Sequence, residues 1–246
     1  MKNFWQKLKK PIIGLAPMHS VTNSAFRKKA RQSGADLVYS EMIASEAIIR
    51  NVPKALKMAS FGPKERPIVI QIFGSNAKNM ARAARTIEQK FSPDGIDINF
   101  GCAAEKAVKQ GFGAVQLKKP EAAIKIIKKV TSSLKGTPLS IKIRLVSKKV
   151  ADTINFAKTA QSAGAAAIAI HGRTLNQKFK DKADWEIIYK VKKALPDLIV
   201  LGSGDIRSAE DIKSKIRNLD GVLVARAARN NPTVFKNLKN FNLSLL

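Results

Sequence analysis

The sequence holds one cysteine, Cys102, in the stretch Asp97-Ile98-Asn99-Phe100-Gly101-Cys102. A thiol can act as nucleophile, as metal ligand or, while protonated, as an acid. A lone cysteine is more often a small buried hydrophobe, so its neighbours decide the matter. Extended alternation puts Asp97 and Asn99 on one side of this segment. Lys142 and Arg144 also stand two apart, on the side opposite Ile141 and Ile143. Either pair can face inward, but an inward lysine needs an anionic or strongly accepting partner. His171-Gly172-Arg173 adds an imidazole and a guanidinium. Gly202-Ser203-Gly204-Asp205 is a small-residue turn, and Ala225-Arg226-Ala227 follows about twenty residues later. A glycine turn leading to a helix start can cradle a phosphate with backbone N–H groups, and Arg226 adds a charge-assisted contact. The ligand implied is a phosphorylated cofactor; no metal is called for.

These residues lie at one kind of place. Apolar runs rich in β-branched residues occupy 11–18, 35–41, 67–73, 95–100, 139–145, 166–171, 198–203 and 221–226. Amphipathic helical stretches alternate with them, among them 76–91, 120–134, 150–163 and 185–195, with a last helix over 232–239. Eight strands, each followed by a helical stretch, predict a single-domain (β/α)8 barrel, with a doubly wound open sheet as the alternative. Active sites of such barrels lie at the carboxyl ends of the strands, and polar residues stand at nearly every one here. Among them are Ala16-Pro17-Met18, Gln71, Asn99 with Cys102, Lys142, His171, Ser203 and Arg226.

The chain has 246 residues, close to the ~250 typical of this barrel. Its 45 Lys+Arg against 18 Asp+Glu leave a charge of +27, which favours polyanionic partners. One cysteine allows no internal disulfide, which points to a reducing, cytoplasmic setting. No secretory signal or membrane span is read. The expected organisation is a basic segment over 1–10, a barrel over 11–240 and a tail over 241–246.

The motifs resemble one family closely. Ala16-Pro17-Met18 with Thr22 and Phe26-Arg27, the cysteine segment with Lys106 and Gly111-Phe112-Gly113, and Lys142-Ile143-Arg144 are similar to the tRNA-dihydrouridine synthases. So are His171-Gly172-Arg173-Thr174 with Gln177 and Ala183-Asp184-Trp185, and Gly204-Asp205-Ile206 with Arg226, Asn231-Pro232 and Phe235. The resemblance implies FMN-dependent reduction of uridine to 5,6-dihydrouridine in tRNA. NADPH (or NADH) is the reductant, hydride passes from flavin N5 to C6, and Cys102 donates a proton to C5. An ordinary thiol, pKa roughly 8.5, is mostly protonated at neutral pH, as an acid must be.

Carried over by position, the Ala16-Pro17-Met18 segment lines the flavin, Gln71 bonds its ring, Lys142 stands near N1 and the C2 carbonyl, and His171 touches it. Ser203, Gly204, Asp205, Ala225 and Arg226 hold the phosphate end; Asn99, Lys106 and Arg173 are near substrate. Three departures stand out. Ala103 replaces a usual proline, Ser203 a usual asparagine, and Ala225 and Ala227 usual glycines. The family's C-terminal helical tRNA-gripping domain is not read here either. A monomer is expected, with grip from basic faces such as Lys118-Lys119, Lys125 with Lys128-Lys129, and Lys190 with Lys192-Lys193, or from a helper protein. The competing functions are flavin chemistry on a small pyrimidine and a non-catalytic RNA-binding barrel.

Overall fold

Period-two alternation in the apolar runs builds a ring of parallel strands. A computed structural model describes residues 4–239. Its barrel strands are β1 (Ile12–Leu15), β2 (Leu37–Tyr39), β3 (Ile68–Phe73), β4 (Gly95–Phe100), β5 (Leu139–Leu145), β6 (Ala165–Thr174), β7 (Ile199–Ser203) and β8 (Gly221–Val224). Sequential neighbours pair in parallel, and β1 pairs with β8, aligning Ile12 with Gly221. The ring is therefore closed and the open-sheet alternative falls. A two-residue strand, Ile43–Ala44, adds to the carboxyl half of β3.

The alternation sorts side chains into two apolar clusters. Ile68, Ile70, Ile72, Ile96, Ile98, Ile141 and Ile143 face the helices. Ile12, Leu37, Val69, Ala167, Ala169, Leu201 and Leu223 fill the barrel interior. With Ile141 and Ile143 outward, Lys142 and Arg144 point inward. Each strand end therefore delivers its polar residues to one mouth.

The outer helices match the amphipathic stretches closely: Ala77–Phe91, Pro120–Thr131, Val150–Ser162 and Trp185–Ala194. Asn76, Asp184 and Ser208 accept backbone N–H groups at helix starts, as capping residues do. The final helix departs from its expected span. Arg226–Asn230 is already helical, the path breaks, and Val234–Lys239 resumes it. Pro232 explains the break, because a residue before proline is pushed to extended backbone and Asn231 sits at φ −149°, ψ 98°. The 241–246 tail lies outside the described residues. A helical turn, Phe4–Lys7, seats a fully buried Trp5 under the amino end of the barrel. No described helix is long and apolar enough to cross a membrane.

Candidate active site

A cleft of about 800 Å³ opens at the carboxyl ends of the strands. It is lined by Ala16, Pro17 and Met18 after β1, Asn99 and Cys102 at β4, and Lys142 and Arg144 on β5. His171 on β6, Ser203 and Gly204 at β7, and Ala225 and Arg226 after β8 complete the wall. A larger groove of about 1400 Å³ runs outside the barrel between helices Pro120–Thr131 and Val150–Ser162. Its floor is apolar (Ile124, Phe156) and its rim carries Lys118, Lys125, Lys128 and Lys129. The smaller cleft is the candidate because polar groups converge there from five strands.

The turn that carries Cys102 is built by Asn99. Its side-chain oxygen accepts from the backbone N–H groups of Gly101 at 3.0 Å and Cys102 at 2.9 Å. Its amide nitrogen donates to Gln71 Oε1 at 2.8 Å, and Gln71 Nε2 donates to Asp97 Oδ2 at 2.7 Å. Ser140 Oγ closes the row on Asp97 Oδ1 at 2.7 Å. Burial pushes the Asp97 carboxyl up to about 6, against the opposing hydrogen bonds from Ser140 and Gln71 and the Lys142 charge. From below, Gly113 packs against the same turn at φ +75°. A Cβ there would fall 2.6 Å from Cys102 O, so glycine is required on both counts. From the far side, Arg144 Nε donates to Gly101 O at 3.0 Å. The cysteine is thus gripped by its backbone while its side chain faces the cleft.

Cations dominate what remains. Burial, and then neighbouring Arg144, lower the Lys142 ammonium to about 8 while Asp97 and Cys102 oppose. Burial, then Lys142, Arg144 and Arg173, push His171 down to about 2, so its imidazole is neutral. Its Nδ1 lies 3.4 Å from Ser203 Oγ, and its buried Nε2 has no hydrogen-bond partner. Arg144 Nη1 donates to the carbonyls of Thr174 at 3.2 Å and Lys178 at 2.7 Å, tying β5 to the loop after β6.

At the other wall, Asp205 joins two guanidiniums. Arg173 Nη2 donates to its two oxygens at 2.8 and 2.7 Å, and Arg226 Nη2 donates at 2.6 Å. These bonds, with the Ala183 N–H, bring Asp205 down to about 2 although partial burial opposes them. Gly204 at φ +121° runs beside His171, where a Cβ would meet Ala183 Cβ at 2.7 Å. The helix Arg226–Asn230 starts with no capping side chain. Ala225 sits at φ −117°, ψ −81°, so it does not adopt the positive φ that would favour glycine.

The expected residues divide into those that line the cleft and those that support it. Gln71 is fully buried, its amide spent on Asp97 and Asn99. Arg173 is 2% exposed and bound to Asp205, and its Nη1 is buried without a partner. Lys106 is exposed on the short helix Glu105–Lys109 and does not line the cleft. Of the basic clusters, Lys118, Lys119, Lys125, Lys128 and Lys129 are all exposed, whereas Lys192 is paired with Asp220 at 2.7 Å. Sequence reasoning missed Arg144 as the clamp on Gly101, and missed Met42, Lys178 and Phe179 in the wall. The first was signalled by its spacing from Lys142; the others come from loops and carry no period.

A dihydrouridine synthase family model matches residues 14–244. A probable tRNA-dihydrouridine synthase of Aquifex aeolicus is 41% identical over 236 residues, 94% of this chain and 73% of that protein. A tRNA-dihydrouridine synthase B of Pseudomonas syringae is 35% identical over 94% of this chain and 68% of its own length. Among solved structures, a 2-naphthoyl-CoA reductase superposes at TM-score 0.72 and 12% identity over 96% of this chain and 52% of that one. Histamine dehydrogenase from a Rhizobium species gives 0.68 and 10% over 93% of this chain and 45% of its own. At such identities these two speak to the barrel alone.

Proposed function

The chain belongs to the dihydrouridine synthase family, and from that premise we propose that it reduces uridines of tRNA to 5,6-dihydrouridine, with FMN bound and NADPH (or NADH) as reductant. One observation carries the reading: the lone cysteine shares a single cleft with Lys142, neutral His171 and the Ser203–Gly204 and Ala225–Arg226 pair. The residues present fit a phosphorylated flavin. The partnerless His171 Nε2 calls for a polar neighbour, the uncapped helix start with Arg226 and Arg229 suits a phosphate, and Gly204 keeps the wall clear of a Cβ.

When bound, FMN supplies the hydride that uracil takes at C6. The remaining work falls to the chain. Lys142, among the described residues, has no ion-pair partner, so its charge is available to negative charge on the N1–C2 side of the ring. Ser203, Gly204, Ala225 and Arg226 hold the phosphate, and Asp205 aims Arg226 while bonded to Arg173. Cys102 holds the proton delivered to C5. Asn99 and Arg144 position it through the Gly101–Cys102 backbone, so Asn99 serves the uracil by placing its acid. The uridine is extruded into the cleft, because C5 and C6 are out of reach inside a stack. Lysines of the outer groove supply a sequence-independent hold on RNA.

Two measurements test this together. Purified protein is expected to show a flavin absorption spectrum and to form dihydrouridine in tRNA but not from free uridine. A flavin-free protein that still binds RNA would leave only a scaffold, and turnover of free pyrimidine would make the substrate a small molecule.

A further inference from the structure

Two large apolar side chains are exposed among the described residues, Val52 at 39% and Phe179 at 67%. Phe179 stands in the wall of the cleft, at the end of the loop that Arg144 ties down. The Arg144 guanidinium lies over its ring, 5.3 Å from the centroid, and the His171 ring meets it edge-on at 6.3 Å. Neither contact hides it. The loop beneath is braced: Thr174 N donates to Gln177 Oε1 at 2.9 Å, Gln177 Nε2 donates to Asp181 Oδ2 at 3.3 Å, and Arg173 holds the carbonyls of Lys180 and Asp181. An aromatic ring is thus fixed at the mouth, backed by a cation on one side and left bare otherwise.

Resting on the uridine-reduction reading above, we infer that Phe179 is a stacking platform for the nucleobase next to the extruded uridine. Extruding one nucleotide strips each of its neighbours of a stacking partner, and the aromatic ring at the mouth restores one. The inner wall, with Cys102 and Lys142, takes the target; Phe179 lies outside it, against His171. Stacking on a ring accepts any base, since every base has a π face, so the platform adds affinity and placement without reading sequence. Lys178 beside it pairs, among the described residues, only with Glu105, at 3.4 Å and largely exposed, a contact that a phosphate can displace.

The test uses flavin-loaded enzyme without reductant and a stem-loop RNA bearing the target uridine, with each flanking nucleotide intact or abasic in turn. Phe179→Leu keeps apolar bulk and is expected to weaken binding of intact RNA roughly five- to a hundredfold, while Phe179→Trp retains it. Removing the stacked base should cost the wild type the same factor and cost Phe179→Leu nothing further. Equal binding by Phe179→Leu and wild type, or an equal abasic loss in both, overturns the platform. In a separate assay with NADPH added, a loaded wild type that forms no dihydrouridine in any RNA overturns instead the function on which it rests.

Discussion

At the amino end of the barrel, Asp36, Asp94 and Asp220 each accept a backbone N–H from the neighbouring strand, those of Ile13, Ile68 and Val200, all at 2.8 Å. Arg66 pairs with Asp94 at 2.9 Å, and Lys10 and Lys192 both reach Asp220. At the carboxyl end the balance among titratable and charged groups is reversed, although Trp5 Nε1 at the amino end also lacks a hydrogen-bond partner. Lys142 has no ion-pair partner among the described residues, and His171 Nε2 and Arg173 Nη1 are buried without hydrogen bonds. Buried polar groups are nearly always satisfied in folded proteins. The amino end has therefore been optimised for holding strands in register, and the carboxyl end for receiving something polar and negative. The difference teaches how to read a charge in this fold: ask whether its partner is already present.

The sharpest break of that contrast is at the carboxyl end. Cys102→Ala is expected to lower dihydrouridine formation by roughly a hundred- to ten-thousandfold, the usual worth of a positioned acid. The melting temperature should hold, since the side chain faces the cleft; a full-rate alanine variant would remove the acid from the scheme. Asp220→Ala attacks the other end. It strips a 3%-exposed carboxylate from two lysines and a strand N–H, and should cost about 3 kcal/mol, or roughly 6–12 °C in a calorimetric scan. Activity per folded molecule should be unchanged well below the transition.

A gentler contrast uses the surface lysines. Charge reversal at Lys125, Lys128 and Lys129 should flatten the salt dependence of RNA binding by about two to three in slope. Reversal at Lys190 and Lys193, near the amino end, should leave it almost untouched, and equal effects would mean a diffuse field with no track. The smallest effect concerns pH. The Lys142 ammonium is lowered to about 8, so it is charged below that value and neutral above. Flavin affinity should fall as pH rises through about 8 in titrations followed by fluorescence, and Lys142→Met should bind more weakly with no such step.

Much of this was legible beforehand where periodicity and chemistry coincide. The eight strands and the shared mouth follow from alternation, which leaves open whether Lys142 and Arg144 or Ile141 and Ile143 face inward until the isoleucines are seen against the helices; Cys102, Lys142, His171, Ser203 and Arg226 all line the cleft. Gln71, Asn99 and Arg173 are more instructive. Their residue types announce a polar site, yet only the folded arrangement reveals that the amides of Gln71 and Asn99 are spent on other protein groups and that Arg173 is turned onto Asp205 with one nitrogen left over. Loop residues such as Phe179 escape, because no repeat fixes where a loop tip lands. The Asn231–Pro232 interruption was visible as a proline; what could not be read is that the turn before it, from Arg226, is helical as well.

The buried Trp5 bears on how the chain becomes a barrel. It belongs to the inner apolar cluster, which draws on Ile12 of the first strand and on Leu201 and Leu223 of the last two. A growing polypeptide therefore makes this indole at the outset and completes the cluster around it only when the final strand arrives. Its shielding belongs to the last, most non-local step of assembly, the kind that loop-closure entropy makes slow. The indole at position 5 is a built-in fluorescent clock for ring closure, to be read against Trp185, which packs in the outer layer between helix and sheet.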